Sequence, residues 1–191
     1  MVKDREKGNI EIMNIWHDAD PSRITKTSFD AVIEISKGGK NKYELDKKTG
    51  MLRLDRVLYT STHYPANYGF IPRTLADDGD PLDVLVLCQE TIAPLTLVQV
   101  RPIGVMLMID EEAKDEKIIA VPEGDPTFSC YQDVSELPEH TSQEISHFFQ
   151  VYKELEHKRT FVKEVLGKNY AEKIVGYCIE EYENQYGKKE K

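Results

Sequence analysis

From residue 29 to residue 121 apolar side chains come in short runs, alternating or unbroken, and beyond residue 138 they recur at helical spacing. A chain that changes period once, and late, has few architectures open to it: short strands first, then helices laid against them. Phe29, Ala31, Ile33 and Ile35 alternate with Asp30 and Glu34, the pattern of a half-buried strand. Lys37-Gly38-Gly39-Lys40 ends it as a turn, after which Tyr43 and Leu45 alternate with Lys42, Glu44 and Asp46. Lys48-Thr49-Gly50 closes a hairpin into a strand from Met51 to Val57. Val84 to Cys88 reads as a buried strand, and Leu97 to Ile109 as a longer one bent at Pro102 and Gly104, as at a barrel corner. Ile118 to Val121 supplies another short strand. Ile145, Phe148, Phe149, Tyr152 and Leu155 predict a helix entered near Pro138 and Thr141. Ala171, Ile174, Val175, Cys178 and Tyr182 predict a second, over about 169–185. The expected fold class is α+β, mainly β: a closed or nearly closed barrel of twisted strands with C-terminal helices against it.

No Pro/Gly/Ser linker, repeat or low-complexity segment divides the chain, so one domain over 1–191 is expected, ending in a charged tail from about residue 186. Its formal net charge of −9 argues against nucleic acid or an anionic membrane as a partner. The charged N-terminus lacks a secretory signal and no later stretch has the long apolar run of a membrane span, so a cytoplasmic setting is expected. Cys88, Cys130 and Cys178 are too few and too scattered for a disulfide framework or a CxxC site, in keeping with a reducing compartment.

Chemistry concentrates in Asp77-Asp78-Gly79-Asp80-Pro81-Leu82-Asp83, directly before the buried strand. Asp78 and Asp80 can point one way from an extended segment, and the Gly and Pro let Asp83 return to the same place. Carboxylates so gathered repel one another unless cations lie between them, and hard divalent ions prefer oxygen ligands. Taken alone, Asp-Gly-Asp is more often a surface turn. A calcium loop of EF-hand type fails on spacing, because Leu82 and Asp83 fall where an oxygen ligand and a glycine are needed. The acidic stretch from Asp110 through Glu111 and Asp115 to Lys117 reads alone as a solvated hairpin loop. Lys42 and Glu44 suit a solvated strand face, Arg56 an ordinary ion pair, Tyr152 a core position on the helix stripe and Lys153 a surface one. His140 and His147 share a helix face without metal-ligand spacing and read as buried or as a subunit contact. No nucleophile elbow, P-loop or HExxH is present.

Together these stretches carry a wider signature. DGDPLDV, from Asp78 to Val84, resembles the aspartate motif of the family I soluble inorganic pyrophosphatases. Val32 to Ile35, Asn41 to Glu44, Asp55-Arg56, His63 to Gly69, Arg101 to Val105, Asp110 to Lys117 and Phe148 to Lys153 are similar to family segments in the same order and with similar spacing. The likeness runs from about Phe29 to Leu155. It leaves residues 1–28 as a leader in which Trp16-His17-Asp18 is only loosely like that of some members.

The resemblance implies a twisted five-stranded barrel of OB type with flanking helices. It implies hydrolysis of pyrophosphate to two phosphates by in-line attack of a metal-activated water, without a covalent intermediate. By the same resemblance Asp78, Asp83 and Asp115 are the ligands of the principal metal ions, Asp83 being shared. Asp110 binds a further ion arriving with substrate, and Glu34 lies near that outer shell. Asp80 is the general base, Lys42, Arg56, Tyr68, Lys117, Tyr152 and Lys153 surround the phosphates, and Glu44 and Tyr64 support them. Mg²⁺ is the implied cofactor, although all-oxygen sites also admit Mn²⁺ and other divalent ions. A homohexamer is implied too, against which Val151 stands where several members have histidine. The alternative is a non-catalytic OB-type module holding a phosphorylated ligand or nucleic acid, which expects a basic groove with exposed aromatics. A metal-dependent hydrolase of nucleoside triphosphates is a third possibility.

Overall fold

The structure is a computed structural model, and it describes residues 13–187; the tail expected from about residue 186 lies outside the described residues from 188 on, Tyr186 being the last residue of a helix, and most of the charged N-terminus lies outside them too. A short helix α1 (Ile15–Asp18) precedes strands β1 (Phe29–Ile35), β2 (Asn41–Leu45), β3 (Leu52–Val57), β4 (Asn67–Phe70), β5 (Asp83–Val86), β6 (Leu97–Asp110) and β7 (Ala113–Pro122). Helix α2 (Glu139–Val151), strand β8 (Thr160–Gly167) and helix α3 (Lys168–Tyr186) follow. The hydrogen-bonded order β1-β4-β5-β7-β6 returns to β1 through a second pairing of β1 with β6, closing a five-stranded ring. All these pairings are antiparallel except β5 with β7. β8 adds to β6 outside the ring, and β2 with β3 forms a separate hairpin.

The bend at Pro102 and Gly104 has a clear purpose. The first residues of β6 close the ring on β1, from Leu97 to Val100, whereas the stretch from Gly104 to Asp110 carries β8. Between these duties the register against β7 slips, from Pro102↔Ala120 to Gly104↔Ile119. Proline has no N–H to give the ladder, so the slip falls where a ladder bond is already missing.

Strand β1 departs from its expected half-burial: all seven residues are buried. Asp30 is paired with Arg23 at 2.7 Å, and Glu34 turns into the interior instead of solvent. The expected common face also splits. A register irregularity between Ile33 and Ile35 sends Phe29, Ala31 and Ile33 to one core and Ile35 to another. The first core packs β5, β6 and β7 against α3 through Ala171, Val175 and Cys178. The second packs the same strands against α2 through Ile145, Phe148, Phe149 and Tyr152. Strands covered on both sides must be apolar on both sides, which explains the unbroken run after Asp83.

Two helical expectations change, and two strands are gained. The α2 stripe stops before Leu155, which is exposed in a 3-10 turn (Glu154–Glu156) that ends on His157 at φ 58°. His140 and His147 are both exposed, so the burial reading is overturned. Strands β4 and β8 are additions that alternation did not single out. Among the described residues no helix is long and apolar enough to cross a membrane. The three cysteines are free thiols.

Candidate active site

The aspartate stretch is held as a tight turn rather than an extended segment. Gly79 sits at φ 84°, where a side chain would be strained, and its N–H donates to Ala76 O at 3.0 Å. Ala76 N–H donates to Asp80 O at 2.8 Å, and Asp80 N–H donates to Asp78 Oδ1 at 2.9 Å. The turn therefore places Asp78 and Asp80 side by side, and Asp83 follows as the first residue of β5.

The pairing of β5 with β7 and β4 supplies the opposite wall. The parallel pairing sets Asp83 opposite Lys117, and the β4 pairing sets Phe70 opposite Asp83, with Tyr68 two residues back along β4. Lys117 Nζ donates to Asp83 Oδ2 at 2.7 Å, Asp115 Oδ1 at 2.9 Å and the Tyr68 hydroxyl at 3.1 Å. It also lies 5.4 Å from the Tyr68 ring centroid and 5.3 Å from that of Phe149. Burial acts to depress this ammonium, but the surrounding Asp83, Tyr68 and Asp115 outweigh it and hold its pKa well above the ordinary value. The Tyr68 hydroxyl donates to Asp83; burial, reinforced by that carboxylate, pushes its own pKa well up.

Around this pair lies a cavity of about 400 Å³. Its wall holds seven carboxylates, from Glu34, Glu44, Asp78, Asp80, Asp83, Asp110 and Asp115, and four ammonium groups, from Lys42, Lys47, Lys117 and Lys153. The acidic stretch after Asp110 is mostly strand: only the turn between β6 and β7 is loop, so Asp110, Asp115 and Lys117 stand on the ladder and not in a solvated hairpin tip. Burial raises the Asp78 and Asp115 carboxyls, with Asp83 adding to both, although Lys117 opposes the rise at Asp115 more strongly. Glu34 is pushed up to about 8, first by burial and then by Asp83, while its Oε1 accepts from Leu45 N–H at 2.7 Å. Asp110 pairs with Lys153, yet its Oδ1 is buried without a hydrogen-bond partner. Lys42 pairs with Glu44 and lies 3.6 Å from Asp55. Tyr152 follows the last residue of α2, buried, with its hydroxyl pKa driven well up by that burial.

Two of the expected residues stand off the wall. Arg56 is engaged by Glu156 at 2.9 Å and by Asp55. Tyr64 is buried behind the site, its ring 5.3 Å from Tyr68 and 4.8 Å from Phe148. Conversely, Lys47 lines the cavity and pairs with Asp80. It belongs to the hairpin turn, and nothing in its local spacing distinguished it from the exposed Lys48 beside it. Among the described residues no three His, Cys, Asp or Glu side chains converge closely enough, as placed, to hold a metal ion. Lys117 contacts Asp83 Oδ2 and Asp115 Oδ1 there.

The chain is similar to known proteins in sequence and in shape. The family model for inorganic pyrophosphatase matches residues 31–183. Soluble inorganic pyrophosphatase 2 of Chlamydomonas reinhardtii is 47% identical over 171 residues, covering 90% of this chain and 89% of that one. The soluble inorganic pyrophosphatase of Zea mays is 49% identical over 167 residues, covering 87% and 78%. Among solved structures, the inorganic pyrophosphatase of Helicobacter pylori superposes with a TM-score of 0.81 at 46% identity, covering 84% of this chain and 96% of that one. That of Thermus thermophilus gives 0.80 at 39% identity, covering 92% and 99%. Matched in sequence across the barrel and in shape across nearly the whole of its solved relatives, the chain belongs to the inorganic pyrophosphatase family.

Proposed function

We propose that the protein hydrolyses inorganic pyrophosphate to two phosphates by in-line attack of water, without a covalent intermediate. The observation that carries this reading is the charge layout of the cavity, in which four ammonium groups are set among seven carboxylates. A small polyanion needs the cations, and the surplus of carboxylates needs a purpose. Among the described residues no Ser, Cys or His lines the wall, which is in keeping with water as the attacking group. Asp80, its side chain 53% exposed on that wall, is suited to take the proton from it. Lys42, Lys117 and Lys153, with the Tyr68 and Tyr152 hydroxyls, hold the phosphate oxygens. Arg56 joins them only by exchanging Glu156 or Asp55 for substrate. Glu44 holds the Lys42 ammonium, and Tyr64 packs behind Tyr68.

The donor set suits a hard divalent ion: every ligand is a carboxylate oxygen, Asp110 Oδ1 has no partner, and burial holds Glu34, Asp78 and Asp115 above their ordinary range. We assign Asp78, Asp83 and Asp115 to the principal ions and Asp110 and Glu34 to a further one, with Mg²⁺ the expected ion and Mn²⁺ admissible. Such ions supply the acidity that makes water nucleophilic near neutral pH and neutralise charge on the leaving phosphate. An ion held by Asp83 and Asp115 would compete with Lys117 for their oxygens. A single domain, a cytoplasmic setting and a homo-oligomer, hexameric by resemblance, complete the proposal. Exposed Leu155, Phe161, Tyr170 and Tyr177 offer apolar surface for a second copy.

The test is phosphate release from pyrophosphate with excess Mg²⁺, lost on adding EDTA, with ATP as a parallel substrate. Absence of release would remove the reading. Equal rates on ATP would transfer it to a general nucleotide hydrolase, and salt-sensitive binding of single strands without hydrolysis would favour the binding module.

A further inference from the structure

Lys47 joins the aspartate motif to a segment that lies ahead of the family match. It lies on the Asp46–Gly50 turn between β2 and β3, pairs with Asp80 across the cavity mouth and sits 5.5 Å over the ring of Trp16. Trp16 precedes the stretch matched by the family model, which starts at residue 31. We propose that Lys47 is a positioning residue for Asp80, and that Trp16 fixes the distance between them.

The geometry behind this is a bridge with two anchored ends. At the turn, Asp46 Oδ1 accepts from the N–H groups of Lys48 at 3.0 Å and Thr49 at 3.1 Å. Asn14 Nδ2 donates to Lys47 O at 2.8 Å, tying the turn to the N-terminal segment. The fit there is close: Gly50 lies at φ 68°, and a Cβ on it would come within 2.5 Å of Met13 O. At the other end, the buried Trp16 indole N–H donates to Thr74 O at 2.9 Å. The Thr74 hydroxyl in turn accepts from Leu82 N–H at 2.9 Å, closing the base of the segment that contains Asp78 and Asp80. One indole therefore offers its face to the lysine and its edge to the foot of the aspartate loop. A shift of either foot changes the distance between Lys47 and Asp80.

The consequence is chemical. The ammonium holds the Asp80 carboxylate at one place on the wall while the cleft is empty. It also lies within the cavity, where an entering anion competes for it and leaves Asp80 free to accept a proton from water. This rests on the hydrolytic reading of the cleft, and the experiment separates the two. Steady-state pyrophosphate hydrolysis under saturating Mg²⁺ is measured for wild type, Lys47→Met, Lys47→Arg, Lys48→Met, Trp16→Phe, Trp16→Leu and the Trp16→Leu/Lys47→Met pair, each with a thermal midpoint. Lys47→Met is expected to lower kcat on the order of tenfold, with Lys47→Arg within about threefold of wild type and Lys48→Met unchanged. Trp16→Phe keeps a face for the ammonium and is expected to lose less than Trp16→Leu. The double variant should be no slower than Lys47→Met, because both changes break one bridge. Equal kcat for Lys47→Met and Lys48→Met overturns the role of Lys47. Independent, multiplying losses in the double variant overturn that of Trp16. If Trp16→Leu fails to fold, Trp16→Phe carries the same comparison: its loss should vanish in a Lys47→Met background, and a loss that persists overturns the role. Wild type releasing no phosphate removes the hydrolytic reading and this proposal with it.

Discussion

The core under α3 is almost wholly aliphatic: Ala31, Ile33, Val84, Val86, Ile118 and Ala120 meet Ala171 and Val175, with Phe29 its one aromatic ring. The core under α2 gathers Tyr64, Tyr68, Phe148, Phe149 and Tyr152. Both are built on the same strands, and β5 contributes Val84 and Val86 to the first and Leu85 to the second. The first core needs only shape, which branched side chains fill well. The second forms the floor of a charged cavity, and there rings are useful beyond their bulk. The Tyr68 and Phe149 faces receive the Lys117 ammonium, and the Tyr68 hydroxyl donates to Asp83. One barrel thus separates holding together from doing chemistry by sidedness, residue by residue.

That division can be broken or sharpened by substitution. Asp80→Asn lies on the chemical side alone: turnover should fall about 10²–10⁴-fold with the thermal midpoint almost unmoved, as read by phosphate release and calorimetry. An unchanged rate would take Asp80 out of the reaction. Lys117→Met lies on both sides, since it strands Asp83 and Asp115 in a buried place. In metal-free protein, urea unfolding should show a loss of about 3–5 kcal/mol, and Mg²⁺ should restore more stability to this variant than to wild type. A variant that Mg²⁺ helps no more than wild type would show that ion and ammonium do not compete for those carboxylates. Ile118→Ala in the aliphatic core should lose about 2–5 kcal/mol while leaving KM and kcat within twofold; a large kcat change would show that the two cores are coupled. Phe149→Leu keeps the apolar volume but removes a ring from beside Lys117, for about 1 kcal/mol, and this loss should shrink in a Lys117→Met background.

The smallest effect belongs to the third cluster, where Trp16 packs with Tyr182. His17 there contacts the Tyr182 hydroxyl at 2.8 Å, and burial lowers its pKa below the ordinary value, partly offset by Asp18. The folded state then binds a proton less readily than the unfolded chain. Stability contributed by neutral His17 is present above about pH 6.5 and is lost as pH falls through and below that value. Urea midpoints at pH 7.5 and 5.5 should differ by less in His17→Gln than in wild type.

Much of the barrel was legible because period-two runs mark strands wherever one face is wet, as in β2, and breakers mark corners, as at Pro102 and Gly104. β8 was missed because it lies at the edge with Phe161 exposed, so its alternation has no fixed inner side. β1 was read as half-wet because Asp30 and Glu34 are charged; Asp30 is buried against Arg23, and Glu34 faces the cleft. In the site, residues marked by the motif fall on one wall, but the motif says nothing of how Lys117 lies between Asp83 and Asp115. That arrangement comes from a pairing of strands distant in sequence. Lys47 escaped notice for a related reason, since its partners Asp80 and Trp16 come from other segments.

The parallel ladder between β5 and β7 also governs when the cavity can come into being. Asp83 and Lys117 are adjacent only once those two strands lie side by side, with the whole of β6 looped between them in the chain. Such distant pairings form late, because the intervening chain must first be ordered. A full-length chain in which β5 and β7 have not yet paired therefore carries every acidic group yet lacks the arrangement among them, and competence arrives with that ladder.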